Sequence, residues 1–244
     1  MIQQQYETYT PEHFEVWKIL FERQMKNLAG TVTSQYLEGL RKINFEAGRI
    51  PNFNETNARL QELTGWQIQA VPGIIPDNDF FVLLSQQKFP ATCWLRQMSQ
   101  LDYIEEPDMF HDVFGHIPLL TNLHYCDFLS GLSRIALRHI DKAAIIELMS
   151  RIYWFTIEFG LMIENKQRKI YGAGIISSAG ETEYSMSHAP QILPYEVTTI
   201  FNTPFYKDHI QNKYFVIDSF EQLYNSLPAI EQYIETEAAQ IKGA

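Results

Sequence analysis

Apolar side chains recur every three or four residues along much of this chain, which is the pattern of helices that bury one face. The first helix is predicted to begin at Thr10, the N-cap, with Pro11 in the first helical position, and to run towards Gly30. Its apolar positions are Phe14, Trp17, Phe21 and Met25. Further helices are predicted around Tyr36, from Asn54, from Asp77 or Asp79, and at about 108–116, 122–138, 141–163, 191–201 and 228–242.

Short non-helical segments separate these helices. Residues 89–96 and 214–217 are compatible with strands, and residues 170–178 predict a strand or a loop because they contain two glycines. Two prolines and a glycine in residues 71–76 predict a shaped loop. The predicted fold class is mostly α, of α+β type, in a single domain over residues 1–244. This domain has N-terminal helices over about 1–65, a core over about 70–225 and a short C-terminal helix.

The charge balance excludes some partners. With 19 basic and 29 acidic residues the formal net charge is −10, which disfavours nucleic acid and anionic membrane surfaces. No apolar run approaches the roughly 20 residues of a membrane-spanning helix. Cys93 and Cys126 are too few and too far apart for a zinc site, and free thiols are typical of a reducing compartment. We therefore expect a cytoplasmic protein that binds a small molecule.

Two histidines, His111 and His116, stand five positions apart in an apolar setting. On a regular α-helix their side chains would point about 140° apart, so a shared metal requires a helix end or an irregularity. Gly115 and Pro118 are positioned to supply one. A zinc peptidase would have a spacing of four with Glu after the first His, whereas this chain has Asp112 there. Taken alone, the pair is equally compatible with two hydrogen-bonded core histidines.

A single acidic residue, Glu158, lies in an otherwise apolar run with the sequence IYWFTIEFGLMI. A buried carboxylate costs several kcal/mol unless it is paired or binds a metal. A salt bridge to a basic residue such as Arg151 is one possibility, and metal binding together with His111 and His116 is the other. Two imidazoles and one carboxylate form the facial set that leaves positions open on Fe(II). Zinc accepts the same ligands but supports no redox chemistry.

Three runs of sequence resemble one known family, the pterin-dependent aromatic amino acid hydroxylases, and most closely its bacterial members that hydroxylate phenylalanine. The run LDYIEEPDMFHDVFGH at 101–116 resembles the family's iron motif, residues 152–161 its glutamate helix, and YGAGIISS at 171–178 its substrate loop. The resemblance covers roughly residues 70–225. It implies a monooxygenase that uses Fe(II), a tetrahydrobiopterin or related tetrahydropterin, and dioxygen to convert L-phenylalanine to L-tyrosine.

The resemblance also implies roles for individual residues. The iron ligands that it implies, and the catalytic residues, are His111, His116 and Glu158. The substrate-binding residues that it implies are Arg96 and Ser177 at the carboxylate, and Pro107, Trp154 and Gly174 around the ring. The pterin-binding residues that it implies are Gly73, Ile74, Ile75, Phe80, Asp112 and Tyr153. An arginine suits the carboxylate because its planar guanidinium pairs with both oxygens.

This chain departs from the animal members of the family at several points. Asp112 replaces a glutamate, and Ile104 replaces a threonine of the carboxylate pocket. The animal enzymes' regulatory domain and long oligomerisation helix have no counterpart here, and two apolar turns near Ile234 are too few for a stable coiled coil. We therefore expect a monomer without phenylalanine-driven allostery.

Three alternatives remain open at the level of sequence. The first is the same chemistry on tryptophan or tyrosine, or at the meta position of phenylalanine. The second is a metal-dependent hydrolase that uses the same three ligands. The third is a non-catalytic helical protein with a structural metal, which would lose its fold to a chelator.

Overall fold

The computed structural model describes residues 2–206 and 210–243. Its helices carry the apolar periodicity seen in the sequence. The α-helices are α1 (Pro11–Asn27), α2 (Ser34–Lys42), α3 (Phe53–Leu63), α4 (Asp77–Ser85), α5 (Leu123–Leu137), α6 (Ala143–Tyr153), α7 (Ala173–Ile176), α8 (Ala179–Met186), α9 (Val197–Phe201), α10 (Phe220–Asn225) and α11 (Leu227–Gly243). The predicted start of α1 is confirmed, because the Thr10 side chain accepts a hydrogen bond from the backbone N–H of His13 and Pro11 follows the cap.

Short strands form two small sheets. The strands are β1 (Gln67–Val71), β2 (Lys88–Thr92), β3 (Leu161–Glu164), β4 (Gln167–Ile170), β5 (Gln191–Pro194) and β6 (Lys213–Ile217). Strands β1 and β2 pair in parallel, and the second sheet has the order β4-β3-β6-β5. Within that sheet β3 and β4 are antiparallel, whereas β6 runs parallel to both β3 and β5. The mostly helical fold class with a few short strands is confirmed.

Two wider helical turns interrupt the α-helical pattern, at Phe110–His116 and at Trp154–Glu158, and both are π-helices. A π-helix closes i→i+5 hydrogen bonds, so residues five apart lie nearly one above the other. A 3₁₀ turn at Ile117–Thr121, with Pro118 near its start, follows the first of them. The irregularity required by the histidine spacing is therefore the widened turn itself, and Pro118 marks only the place where it ends.

Three predicted elements differ from the structure. The helix predicted over 141–163 ends after Glu158, because Leu161 pairs instead with Ile170 and Val216 in the second sheet. The helix predicted over 191–201 is β5 followed by the short α9, since residues 191–194 pair with β6. The segment 170–178, predicted as a strand or a loop, contains the end of β4 and α7. In the first two cases pairing between distant segments decides the local structure.

Aromatic side chains fill the core around the Phe110–His116 π-helix. Phe110 and Phe114 stack with ring centroids 4.6 Å apart, and Trp17 of α1 meets the Phe110 ring edge-on at 5.5 Å. Tyr36 of α2 donates its hydroxyl to the carbonyl oxygen of Phe114 at 2.8 Å. Each aromatic pair contributes about 0.5–1.5 kcal/mol beyond its buried area. These contacts hold the π-helix rigidly between α1 and α2. None of the helices in the described residues combines the length and the apolarity needed to cross a membrane.

Candidate metal centre

The two π-helices bring His111, His116 and Glu158 together. His111 Nε2 lies 3.6 Å from Glu158 Oε2, and His116 Nε2 lies 3.2 Å from Glu158 Oε1. One ligand atom from each residue falls within 4.8 Å of the other two. Donor atoms bound to one metal at about 2.1 Å lie roughly 3 Å apart at right angles. The spacing and the donor set therefore fit a single divalent ion. Arg151, which the sequence offered as a salt-bridge partner for Glu158, pairs with Glu147 at 2.5 Å.

Ser177 fixes the tautomer of His111. The Ser177 Oγ lies 2.8 Å from His111 Nδ1 and donates its own proton to the carbonyl oxygen of Ala173 at 2.8 Å. Since that proton is used, the Ser177 oxygen accepts from Nδ1–H, and the lone pair of His111 is left on Nε2, facing Glu158. Burial also lowers the pKa of His111 to about 4, which favours the neutral ring that a metal requires.

Close packing of α7 against the first π-helix brings Ser177 within reach. A Cβ at Gly115 would lie 3.0 Å from the carbonyl oxygen of Ala173, so a side chain there would push α7 away. The second imidazole, that of His116, is buried and packs on the Phe89 ring of β2 at a centroid distance of 4.7 Å. Both imidazoles are therefore held in place by their neighbours.

Arg96 is buried and forms a bidentate ion pair with Asp108. Arg96 Nε and Nη2 donate to Asp108 Oδ2 and Oδ1, each at 2.9 Å, and only 6% of the arginine side chain is exposed. The same carboxylate accepts from the backbone N–H groups of Arg96 and His111, at 3.0 and 3.1 Å. Asp108 therefore caps the start of the segment that carries His111, whereas Nδ1 of the His111 ring bonds Ser177.

Two of the residues assigned to the substrate ring, Trp154 and Gly174, lie close to Glu158. Trp154 begins the second π-helix, and its half-buried indole packs on Phe159 at a centroid distance of 4.6 Å. Pro107, also half-buried, directly precedes Asp108. A Cβ at Gly174 would meet the Phe159 ring at 2.8 Å and the Glu158 carbonyl oxygen at 3.2 Å. The absence of a side chain at Gly174 therefore allows α7 to pack closely against the backbone that carries Glu158.

The residues assigned to a pterin fall in two groups. Phe80 of α4 meets Tyr153 edge-on at 5.3 Å. Gly73, Ile74 and Ile75 lie between β1 and α4, and Ile74 is 75% exposed. Asp112 lies on the first π-helix, where its Oδ2 accepts from the backbone N–H of Thr92 at 2.8 Å, and burial raises the pKa of its carboxyl to about 7.

Sequence reasoning missed two features of this site. One is the Arg96–Asp108 ion pair, although an acidic and a basic residue flanking a metal motif are a recognisable signal. The other is a chain of hydrogen bonds from Trp154 to Gln211 and Glu181, which joins segments far apart in sequence. No local pattern in the sequence indicates that second feature.

Comparison with known proteins decides the family. A family model described as "Biopterin-dependent aromatic amino acid hydroxylase" matches residues 4–239. The chain belongs to this family. The matched range contains every residue assigned above to iron, substrate or pterin.

Relatives within the family include enzymes of known structure. The chain is 42% identical over 219 residues to the phenylalanine-4-hydroxylase of Chromobacterium violaceum, covering 89% of this chain and 73% of that protein. It is 41% identical over 219 residues to the phenylalanine-4-hydroxylase of Ralstonia nicotianae, covering 89% and 70%. A crystal structure of the Chromobacterium enzyme with bound iron(III) and 7,8-dihydrobiopterin superposes with a TM-score of 0.91 at 40% identity, covering 98% of this chain and 86% of that one.

Proposed function

We propose that this chain is a monooxygenase that uses Fe(II), a tetrahydropterin and dioxygen to hydroxylate the ring of L-phenylalanine, giving L-tyrosine. The convergence of two imidazoles and one carboxylate carries the proposal, because it occurs in a fold whose Chromobacterium relative binds iron and dihydrobiopterin. Two neutral nitrogens and one carboxylate leave an Fe(II) site with net charge near +1 and open coordination positions. Iron and pterin together would supply the activation of dioxygen, and the protein supplies positioning and exclusion of water.

The iron would be held by His111, His116 and Glu158. Ser177 supports this role for His111 because it leaves the Nε2 lone pair facing Glu158. Partners that orient a ligating histidine raise metal affinity by about 10–100-fold in metal sites generally. The ion therefore does not have to reorient this ring when it binds.

The substrate carboxylate would bind Arg96. Its guanidinium has five N–H donors, and Asp108 takes two of them, so the remaining N–H groups can donate to a second carboxylate. Asp108 accepts from both the Arg96 guanidinium and the backbone N–H of His111, so the guanidinium lies near the segment that carries a proposed iron ligand. Ser177 bonds His111 directly, so we propose that it supports the iron ligand as well as lying near the substrate carboxylate. Pro107, Trp154 and Gly174 would line the ring pocket.

The pterin would bind on the Phe80 side of the iron centre. Phe80 is half-buried and held at a right angle to Tyr153, so one of its faces can stack on a flat heterocycle. The backbone of the Gly73, Ile74 and Ile75 loop and the carboxylate of Asp112 can provide polar contacts to the pterin edge. These groups lie on the β1–α4 connection and on the π-helix that also carries His111.

The chain is further proposed to act as a monomer in the cytoplasm. Helix α11 buries Ile230, Ile234 and Ala238 within the chain, so these apolar positions are already used. Cys93 and Cys126 are free thiols, in keeping with a reducing compartment. Light scattering after size exclusion tests the oligomeric state, and a mass near 28.5 kDa is the expected result.

The experiment that tests the proposed activity is oxygen consumption with Fe(II), tetrahydropterin and one amino acid at a time, with the product identified by mass spectrometry and chromatography. Phenylalanine is expected to give para-tyrosine and a faster reaction than tryptophan or tyrosine. A meta-hydroxylated product, or a faster reaction with tryptophan, would show that the chain catalyses one of the alternative ring hydroxylations. Turnover of an ester or amide without oxygen and pterin would favour a metal-dependent hydrolase.

A further inference from the structure

Another buried carboxylate, that of Glu181, lies outside the metal centre. Only 8% of Glu181 is exposed, and it stands in the first turn of α8. Its Oε2 accepts from the hydroxyl of Tyr214, and its Oε1 accepts from the backbone N–H of Gln211 at 3.1 Å. Both donors are neutral groups, and burial raises the pKa of the Glu181 carboxyl. A carboxylate so placed is costly to bury, which calls for a reason beyond packing.

Gln211 connects Glu181 to the proposed substrate pocket. Its own side chain is 6% exposed, and its Oε1 accepts from the indole Nε1–H of Trp154 at 2.9 Å. Its Nε2 donates to the carbonyl oxygen of Tyr206 at 2.8 Å. Glu181 therefore fixes the backbone of Gln211, and the side chain of Gln211 fixes the indole of Trp154.

Among the described residues, the aromatic contacts of the Trp154 indole are with Phe159 and Phe205. Its ring packs on Phe159 at 4.6 Å and on Phe205 at 5.1 Å, with interplanar angles of 39° and 37°. Such tilted apolar contacts tolerate small rotations, whereas a hydrogen bond to Nε1 is directional. Trp154 also begins the π-helix that ends at Glu158. A rotation of the indole would therefore change the shape of the cavity next to an iron ligand.

The network also meets the metal centre through α8. Ser178 caps this helix by accepting from the backbone N–H of Glu181 at 3.3 Å, and the preceding residue, Ser177, bonds His111. One turn of chain thus holds both the iron ligand and the anchor of the indole.

We propose that Glu181 and Gln211 are positioning residues that fix the plane of the Trp154 indole and thereby determine which aromatic side chain fits beside the iron. This inference rests on the proposed function. It gives Glu181, a buried carboxylate outside the metal centre, a role in substrate selectivity and in coupling oxygen use to ring hydroxylation. Loss of the network leaves the iron ligands in place but allows the substrate ring to move.

The first test replaces the amide of Gln211. Gln211→Met keeps the length of the side chain but removes the acceptor for Trp154 Nε1. One lost hydrogen bond corresponds to about a fivefold change in an equilibrium constant. We expect the Michaelis constant for phenylalanine to rise about fivefold, the yield of tyrosine per pterin oxidised to fall, and bound iron to stay stoichiometric. The selectivity for phenylalanine over tryptophan should fall as well.

A second pair of variants separates positioning from folding. Glu181→Met removes both acceptors, whereas Glu181→Gln keeps an acceptor for the Gln211 N–H and can exchange donor and acceptor roles with the Tyr214 hydroxyl. Glu181→Gln should therefore restore much of the coupling that Glu181→Met loses. Glu183→Met, an exposed change on the same helix, is the matched control and should behave as the wild type. If Glu181→Met does not fold, the Gln211 variant carries the test.

A double-mutant cycle gives the decisive result. If Gln211 acts through the indole N–H, then Trp154→Phe removes the same interaction, and Gln211→Met should add little to the Michaelis constant or the coupling yield in that background. Additive effects, or wild-type values in Gln211→Met alone, would overturn the inference. Absence of tyrosine from the wild-type enzyme in the same assay would instead contradict the proposed function.

Discussion

Asp108 and Arg96 form a buried ion pair that also holds the segment carrying His111. The Asp108 carboxylate accepts three hydrogen bonds from Arg96 and one from the backbone of His111, at 2.9–3.1 Å. One acidic side chain therefore connects the proposed anchor of the substrate carboxylate with the start of the iron-binding turn. The guanidinium is pre-oriented by this pair, and less side-chain entropy is lost when substrate binds.

Replacing Asp108 by Asn should therefore affect stability and substrate binding together. Asparagine keeps one acceptor oxygen but places an N–H₂ group against a buried guanidinium. Removing one partner of a buried pair costs about 3–5 kcal/mol, and we expect a loss of unfolding free energy approaching that range. Urea unfolding and the phenylalanine Michaelis constant are the measurements. Asp102→Asn, which alters the exposed pair with Arg23, is the control, and equal effects of both changes would refute the role.

Replacing Arg96 by Lys tests whether the planar guanidinium pairs with Asp108 and with the substrate carboxylate at the same time. Lysine keeps the charge but cannot pair with Asp108 and a second carboxylate in the same geometry. The Michaelis constant for phenylalanine should rise and the yield of tyrosine per pterin should fall, with iron content unchanged. Arg96→Ala should be worse, by about 2–5 kcal/mol in apparent binding. Arg23→Lys is the exposed control, and wild-type values in Arg96→Ala would remove Arg96 from the site.

Removing the Ser177 hydroxyl should weaken iron binding. Ser177→Ala leaves the Nδ1–H of His111 without its acceptor, so the Nε2 tautomer and the ring orientation are no longer fixed. A loss of about 10–100-fold in Fe(II) affinity is expected, measured by competition with a chelator. Ser177→Thr retains a hydroxyl and should recover part of the affinity. An Ala variant with wild-type affinity would mean that packing against α7 alone orients His111.

Truncating Phe80 should affect the pterin more than the amino acid. Phe80→Ala removes the half-buried ring that stands at 5.3 Å from Tyr153 and is proposed to stack on the cosubstrate. We expect a several-fold higher Michaelis constant for tetrahydropterin with little change for phenylalanine. The two constants are measured in the same preparation, so folding defects are controlled internally. An equal rise in both would show that Phe80 only supports the fold.

The proposed metal ligands could be singled out from sequence because they are unusual locally. Two histidines in an apolar run and one acid in another are costly to bury without a shared purpose, which favours a metal site, and the family resemblance implied iron. The spacing of five between the histidines indicated an irregular turn but did not define it. The widened turn at Phe110–His116 packs through Phe110 and Phe114 and bonds Tyr36 of α2, which no local pattern encodes.

Elements fixed by distant pairing were predicted less well. Residues 191–194 form a strand because β6 offers backbone partners, and residues 161–164 leave the helical pattern for the same reason. The Trp154–Gln211–Glu181 chain likewise joins residues 57 and 30 positions apart. Their chemistry becomes recognisable only once the fold has brought them into contact. Substrate selectivity depends on such contacts, which explains why the sequence left the preferred amino acid open.

The iron content of three variants tests the central claim most directly. His111→Ala, His116→Ala and Glu158→Ala are each loaded anaerobically with Fe(II), freed of excess metal by gel filtration, and measured for bound iron and for helical circular dichroism. The wild type should retain one iron per chain, and each variant should retain almost none while remaining folded, because the aromatic core does not depend on the metal. Stoichiometric iron in all three folded variants would contradict the assignment of the site.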